Sequence, residues 1–235
     1  MVKVASTCSG VALTHRCPRG ILPLMIIGLL SDTHLPNLIR HLDELGPEPV
    51  EFFESVDLIL HGGDLTSPKT LDWLEQFAPV VCSTGNNDPI PDQRCEEVQM
   101  LEIEGWRLGM IHSMEGQFRP MADLQKLFPS EVDVMIAGHT HLERLEYRDR
   151  VAMINSGSIT FPRHKELRLG TVGLLELQPG WLRTEIIPLG HSPGRPNPGE
   201  SMSMEIQLNG AEPKVQMNVP GFDEDGVLIR ADDPV

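Results

Sequence analysis

Short apolar runs recur along this chain, and several stop abruptly at glycine or a polar residue. MIIGLLS (25–31), VDLILHGG (56–63), VVCST (80–84), RLGMI (107–111) and VDVMIA (132–137) have the length and composition of buried strands closed by turn formers. Between them lie helical candidates at 37–45, 67–77 and 119–128. Ser67 can cap the free N–H groups of the second, and Pro68 suits its first helical position. Trp73, Leu74 and Phe77 share its apolar face and are predicted core. Further on the pattern turns strand-rich: RLEYR (144–148), RVAMINS (150–156), GTVGLLELQ (170–178) and WLRTEIIPL (181–189). Parallel βα units therefore come first and an antiparallel set follows. That order predicts an α/β fold of two sheets packed face to face, with helices outside.

Three segments follow from the composition. Residues 25–190 carry the periodic pattern and form the predicted domain. Residues 1–24 hold Lys3, Arg16 and Arg19 and no acid; without them the charge moves from −15 to −18 (16 basic against 34 acidic). A true start at Met25, a disordered arm and a targeting peptide are the readings open for that segment. Residues 191–235 begin as a Pro/Gly-rich linker, HSPGRPNPGES, and end acidic, predicting a weakly ordered tail or a small hairpin docked on the core.

The 235 residues suffice for one sizeable α/β domain. A charge of −15 argues against an extensive nucleic-acid surface, which needs many Lys and Arg at phosphates. No run of 18 apolar residues exists, so no membrane-spanning helix is expected. Cys8, Cys17, Cys82 and Cys95 show no paired CxxC spacing and read as reduced thiols of a cytoplasmic protein.

The polar residues that close the strands carry the chemistry. They are Asp32-Thr33-His34, Gly63-Asp64, Gly85-Asn86-Asn87-Asp88, His112 and Gly138-His139-Thr140-His141. In open α/β sheets, sites lie beyond the carboxyl ends of the strands. A mixed set of carboxylate, amide and imidazole donors suits Mn, Fe, Zn, Co or Ni better than a pure oxygen cage. Asp64, next to two glycines, is suited to bridge two cations. Two such ions can clamp a phosphoryl group and activate a water. Asp88 reads as a carboxylate that fixes its loop. His61 reads as a satisfied core histidine with a supporting role as the alternative. His15, His41, His164 and His191 carry no signal of their own.

In this order the motifs resemble the calcineurin-like metallophosphoesterase superfamily, over residues 25 to about 165. Their short spacing is similar to that of the small bacterial and archaeal phosphodiesterases. The resemblance implies a four-layer α/β/β/α sandwich and two divalent ions, manganese foremost. Asp32, His34 and His141 would hold the first ion, Asn86, His112 and His139 the second, and Asp64 both. It further implies in-line attack at phosphorus by a metal-bridging hydroxide, which gives Asp32, Asp64 and Asn87 catalytic roles.

Several positions depart from the family pattern. Where many members place a histidine after the metal-binding asparagine, this chain has Asn87, which donates a hydrogen bond but cannot act as a general acid. His112 is followed by Ser113-Met114 where relatives often read His-Gly-His. Asn155-Ser156-Gly157-Ser158 stands for Asn-Pro-Gly-Ser and is expected to border the substrate. Asn87 and Arg163 are the expected substrate contacts. The predicted function is thus a metal-dependent phosphodiesterase acting on a small phosphoester, with a homo-oligomer left open. The alternative is a non-catalytic protein-binding scaffold of the same fold, as the phosphoesterase-like subunit of retromer is.

Overall fold

A computed structural model describes residues 2–3, 24–36, 38–114, 119–208, 210 and 212–220. Most of the 1–24 extension and the acidic stretch from 221 onward therefore lie outside the described residues.

The strands are β1 Val2–Lys3, β2 Met25–Leu30, β3 Leu58–His61, β4 Val80–Ser83, β5 Cys95–Glu96, β6 Val98–Ile103 and β7 Trp106–Ile111, then β8 Val134–Ala137, β9 Glu143–Arg148, β10 Val151–Ser156, β11 Thr171–Gln178, β12 Trp181–Pro188, β13 Met202–Gln207 and β14 Lys214–Asn218. They form two mixed sheets. One runs β14-β13-β12-β11-β2-β3-β4-β5 and the other β1-β6-β7-β8-β10-β9. In the first, β2 to β5 are parallel neighbours, and the antiparallel β11 to β14 extend the sheet from β2. In the second, β7, β8 and β10 run parallel.

Side-chain alternation explains the layering. Ile27, Leu29, Leu58 and Leu60 point inward and meet Leu108, Met110, Val134, Ile136 and Ile154 of the other sheet in one core. The alternate positions, Leu30, Ile59 and Val80, face outward against Phe53, Leu71 and Trp73 of the helical layer. Met135, Ala137 and Met153 do the same on the far side, against Met121 and Leu124. Because both strand faces are buried, the runs read as continuous apolar sequence. The result is the expected α/β/β/α sandwich. Trp106 Nε1 also donates to the Gln178 carbonyl at 2.9 Å, tying the two sheets together.

Among the described residues the helices are shorter than the pattern predicts, and one lies elsewhere. They are α1 Glu48–Phe53, α2 Lys69–Leu74 and α3 Met121–Leu124. The 37–45 candidate holds only a 3-10 turn at Leu42–Leu45, and a second turn at Gln125–Leu127 extends α3. The helix α1 falls outside all three candidates; Pro47 stands at its N-cap and Pro49 in its first turn, where no N–H partner is lost. Ser67 Oγ accepts only a long 3.4 Å bond from the Lys69 N–H. Strands β13 and β14 form a hairpin on the edge of the larger sheet, with Met204 and Ile206 buried against the core.

A candidate metal centre at the seam of the sheets

The carboxyl ends of β2, β3 and β4 from one sheet and β7 and β8 from the other converge on one edge of the sandwich. Asp32 lies two residues beyond β2, Asp64 three beyond β3, Asn86 three beyond β4, His112 one beyond β7 and His139 two beyond β8.

The backbone there is strained in a consistent way. Asp32, His34, Asp64, His139 and His141 all have positive φ, between 47° and 70°. Such left-handed residues cost about 1–3 kcal/mol each and persist only where the surroundings impose them. The glycines beside the ligands make room for this. A Cβ on Gly138 would overlap Ser31 Oγ, and one on Gly85 would overlap the Asp64 amide and Oδ1.

The donors form two overlapping groups. Ligand atoms of Asp32, His34 and His141 lie within 4.8 Å of one another, as do those of Asp32, Asp64 and His112. His34 Nε2 is 3.2 Å from His141 Nε2, and His112 Nε2 is 3.2 Å from Asn86 Oδ1. Asp64 splits its carboxylate: Oδ1 is 3.4 Å from His112 Nε2 and Oδ2 is 3.7 Å from His34 Nε2. The His139 ring lies edge-on to His112 with centroids 5.1 Å apart. All seven residues with ligand chemistry thus surround one locus.

Backbone carbonyls fix the tautomers. His112 Nδ1 meets the Gly62 carbonyl at 2.7 Å, and His141 Nδ1 meets that of Phe161 at 2.9 Å. A carbonyl only accepts, so each Nδ1 carries a proton and each Nε2 faces the site. A buried, crowded set of carboxylates and imidazoles has the chemistry of a divalent cation site.

Burial pushes the Asp32 carboxyl up to about 6. Burial would raise Asp64 as well, but hydrogen bonds from His112 and Asn87 hold it well below the usual carboxylate range. His34 and His141 are lowered by burial. Burial opposes the charge on His112 too, yet its contact with Asp64 leaves it raised.

A shell of hydrogen bonds braces the ligand loops. Asp88 accepts from the N–H groups of Asp64 (2.9 Å), Leu65 (2.6 Å), Thr66 (2.9 Å) and Gly85 (2.7 Å), tying the β3 and β4 loops together. Asn87 donates from its amide to Asp64 Oδ1 (2.8 Å) and from Nδ2 to Oδ2 (2.7 Å). His61 is fully buried, accepts at Nδ1 from the Gly63 N–H (3.0 Å) and lies 3.2 Å from Thr33 Oγ1. It supports both Asp loops. Asn155 Nδ2 donates to the Gly138 carbonyl (2.8 Å), and Ser158 Oγ to that of Asp32 (2.8 Å). The 155–158 stretch is buried and props the ligands from behind instead of bordering an open cleft.

Arg163 is placed differently from the sequence expectation. Its guanidinium pairs with Glu143 (3.3 Å) and Glu200 (2.9 Å), while its N–H bonds the His141 carbonyl (2.9 Å). The next residue, His164, stacks on His141 with centroids 4.1 Å apart. His34, Pro36, Thr66, His141, Phe161, His164 and Lys165 line a cleft of about 360 Å³. His164 and Lys165 escape sequence reading because a strained turn, with φ of 54° and 55° at Arg163 and His164, delivers them. Only the Pro162 that opens this turn hints at it.

A sandwich with metal-type donors gathered at the strand ends of both sheets defines a class of α/β proteins with a candidate divalent-cation site. The chain belongs to the calcineurin-like phosphoesterase superfamily, whose domain matches residues 25–180. It is 39% identical over 171 residues to a probable metallophosphoesterase of Methanothermobacter thermautotrophicus, covering 71% of this chain and 94% of that one. It is 30% identical over 151 residues to a phosphodiesterase of Methanocaldococcus jannaschii, covering 57% and 83%. Its fold is similar to that of a zinc-complexed Vps29 from Entamoeba histolytica, with a TM-score of 0.58 at 19% identity over 83% of this chain and 98% of that one. Among the described residues, no helix is long and apolar enough to cross a membrane.

Proposed function

We propose that this phosphoesterase is a phosphodiesterase working with two divalent cations, manganese foremost, on a small phosphoester. The observation that carries the reading is the split Asp64 carboxylate, with Oδ1 turned to His112 and Oδ2 to His34. A carboxylate that faces two separate imidazole groups is suited to join two cation sites. Asp32, His34 and His141 would hold one ion and Asn86, His112 and His139 the other. When bound, such ions supply Lewis-acid charge against the phosphoryl oxygens and lower the pKa of water.

The chain's own residues do the rest. Asp32 and Asp64 set the negative charge that retains the cations. Asn87 sits on both Asp64 oxygens and can turn its Nδ2 toward a phosphoryl oxygen. It has no proton to give a leaving group, so turnover should favour esters with good leaving groups. The cleft lets Lys165 and the exposed His164 meet the far side of the substrate, a role Arg163 is poorly placed to take while its charge is spent on Glu143 and Glu200. A net charge of −15 fits a small substrate better than an extended nucleic acid. Free thiols at Cys82 and Cys95 fit work in a reducing compartment such as the cytoplasm. A protein-binding scaffold would gain nothing from left-handed strain at five donor residues.

The test is hydrolysis of a chromogenic phosphodiester against the matching monoester, with and without manganese, in the native protein and Asp64→Asn. Manganese-dependent diester turnover that drops at least about a hundredfold in the variant is expected. A folded native protein inert with every divalent metal would remove the enzyme reading and turn attention to protein partners.

A further inference from the structure

Two cysteines stand side by side beneath the loop that carries Asn86. Cys82 on β4 is the register partner of Cys95 on β5. The Cys82 N–H bonds the Arg94 carbonyl at 3.0 Å and the Thr84 N–H that of Glu96 at 2.9 Å, so the two strands are locked at this point. Neighbouring strands lie about 4.8 Å apart, inside the Cα separation a disulfide spans. Both side chains belong to the same apolar cluster on the outer face of the larger sheet, so the sulfurs share one side. Access is unequal. Cys82 is fully buried, whereas Cys95 is half-buried on the last strand of its sheet.

We propose that Cys82 and Cys95 are a site of reversible intramolecular disulfide formation, taking a peroxide-class two-electron oxidant. The half-buried Cys95 reacts first. Its thiolate attacks one peroxide oxygen, the O–O bond breaks, and the released oxygen leaves as water after protonation. The Cys95 sulfenic acid is then attacked by Cys82 sulfur; an S–S bond forms, and the S–O bond breaks to give a second water. Two thiols lose two electrons and two protons, and peroxide is reduced to two waters. Access sets this order, and the interaction between the two thiols agrees with it by pushing Cys82 up and lowering Cys95; Cys82 Sγ itself donates to the Ser83 carbonyl at 3.1 Å. A thiol reductant reverses the bond.

The disulfide would close the 84–94 loop at its base, directly under Asn86, Asn87 and Asp88. The inference rests on strand register and burial and does not need the phosphodiesterase reading.

Trypsin makes the test direct, because cleavage after Arg94 puts Cys82 on peptide 70–94 and Cys95 on peptide 95–107. The folded full-length chain is treated with hydrogen peroxide, alkylated and digested without reductant. The expected product is the joined 70–94/95–107 pair, lighter by two hydrogens than its separate peptides, found in monomeric protein and lost on reduction. It should exceed pairings that involve Cys8 or Cys17. In Cys95→Ser, checked for folding by circular dichroism, the joined pair should vanish and Cys82 should be recovered as a thiol. Recovery of Cys82 as a free thiol beside sulfinic Cys95 in the native chain would overturn the proposal. So would disulfides that form only between chains.

Discussion

Asp32 and Asp64 are a few ångströms apart in function yet opposite in acidity. Burial lifts Asp32 to about 6, while His112 and Asn87 hold Asp64 far below it. A cation must therefore displace a proton from Asp32 at mildly acidic pH but never from Asp64. Manganese affinity should rise with pH up to about 6 by no more than about tenfold per unit for this one proton, then flatten as far as Asp32 is concerned. Calorimetric titrations from pH 5 to 8 would read this; affinity that falls with rising pH would contradict it. His61 sets a second, separate pH dependence. Its pKa is lowered to about 3 by burial, against 6.5 when free. Folded protein thus keeps it neutral where the unfolded chain binds a proton. Its contribution is intact above pH 6.5 and drains away as pH falls toward 3, by at most about 1.4 kcal/mol per pH unit. His61→Gln should flatten the difference in urea midpoint between pH 7 and pH 4, relative to the native chain.

At the scale of elements, the strand-end loops matter more than the helices. Asp88 holds four N–H groups from two loops with one carboxylate. Asp88→Ala would leave those donors without their acceptor and should cost about 2–4 kcal/mol, together with a weaker grip on metal. Urea unfolding and metal content after dialysis would measure both. The strand ends were legible because each apolar run stops at a ligand, and the joint pattern Asp32 to His141 fixes fold and locus together. Three things were not legible. The α1 helix hides behind Pro47 and Pro49, residue types that favour turns but here stand at the N-cap and in the first turn. The Arg163–His164 turn adopts left-handed geometry that no residue type there announces, so His164 and Lys165 reach the cleft unheralded. The pairing of Arg163 with Glu143 and Glu200 depends on contacts 20 and 37 positions away, set only by the folded sheet.

For the molecule as a whole, the donors are shared out between the two sheets of the sandwich. Asp32, Asp64 and Asn86 follow strands of one sheet, and His112 and His139 follow strands of the other. Bound cations would therefore fasten one sheet to the other at this edge. Removing them by chelation should lower the melting temperature of the entire domain, since ligand binding to the folded state alone stabilises it. Differential scanning calorimetry with and without EDTA would test this; an unchanged midpoint in metal-loaded protein would speak against a cross-sheet fastening.

That arrangement gives the sandwich a hinged character, like a book held shut by a clasp on one edge. At the opposite end, the Trp106–Gln178 bond and the apolar core keep the leaves together without help. At the clasped edge, an unclasped protein would bring buried carboxylates and imidazoles together with backbone already under strain. Amide hydrogens at the ends of β2, β3, β7 and β8 should then exchange sooner than those at their beginnings, so the route by which this fold comes apart starts where its chemistry is.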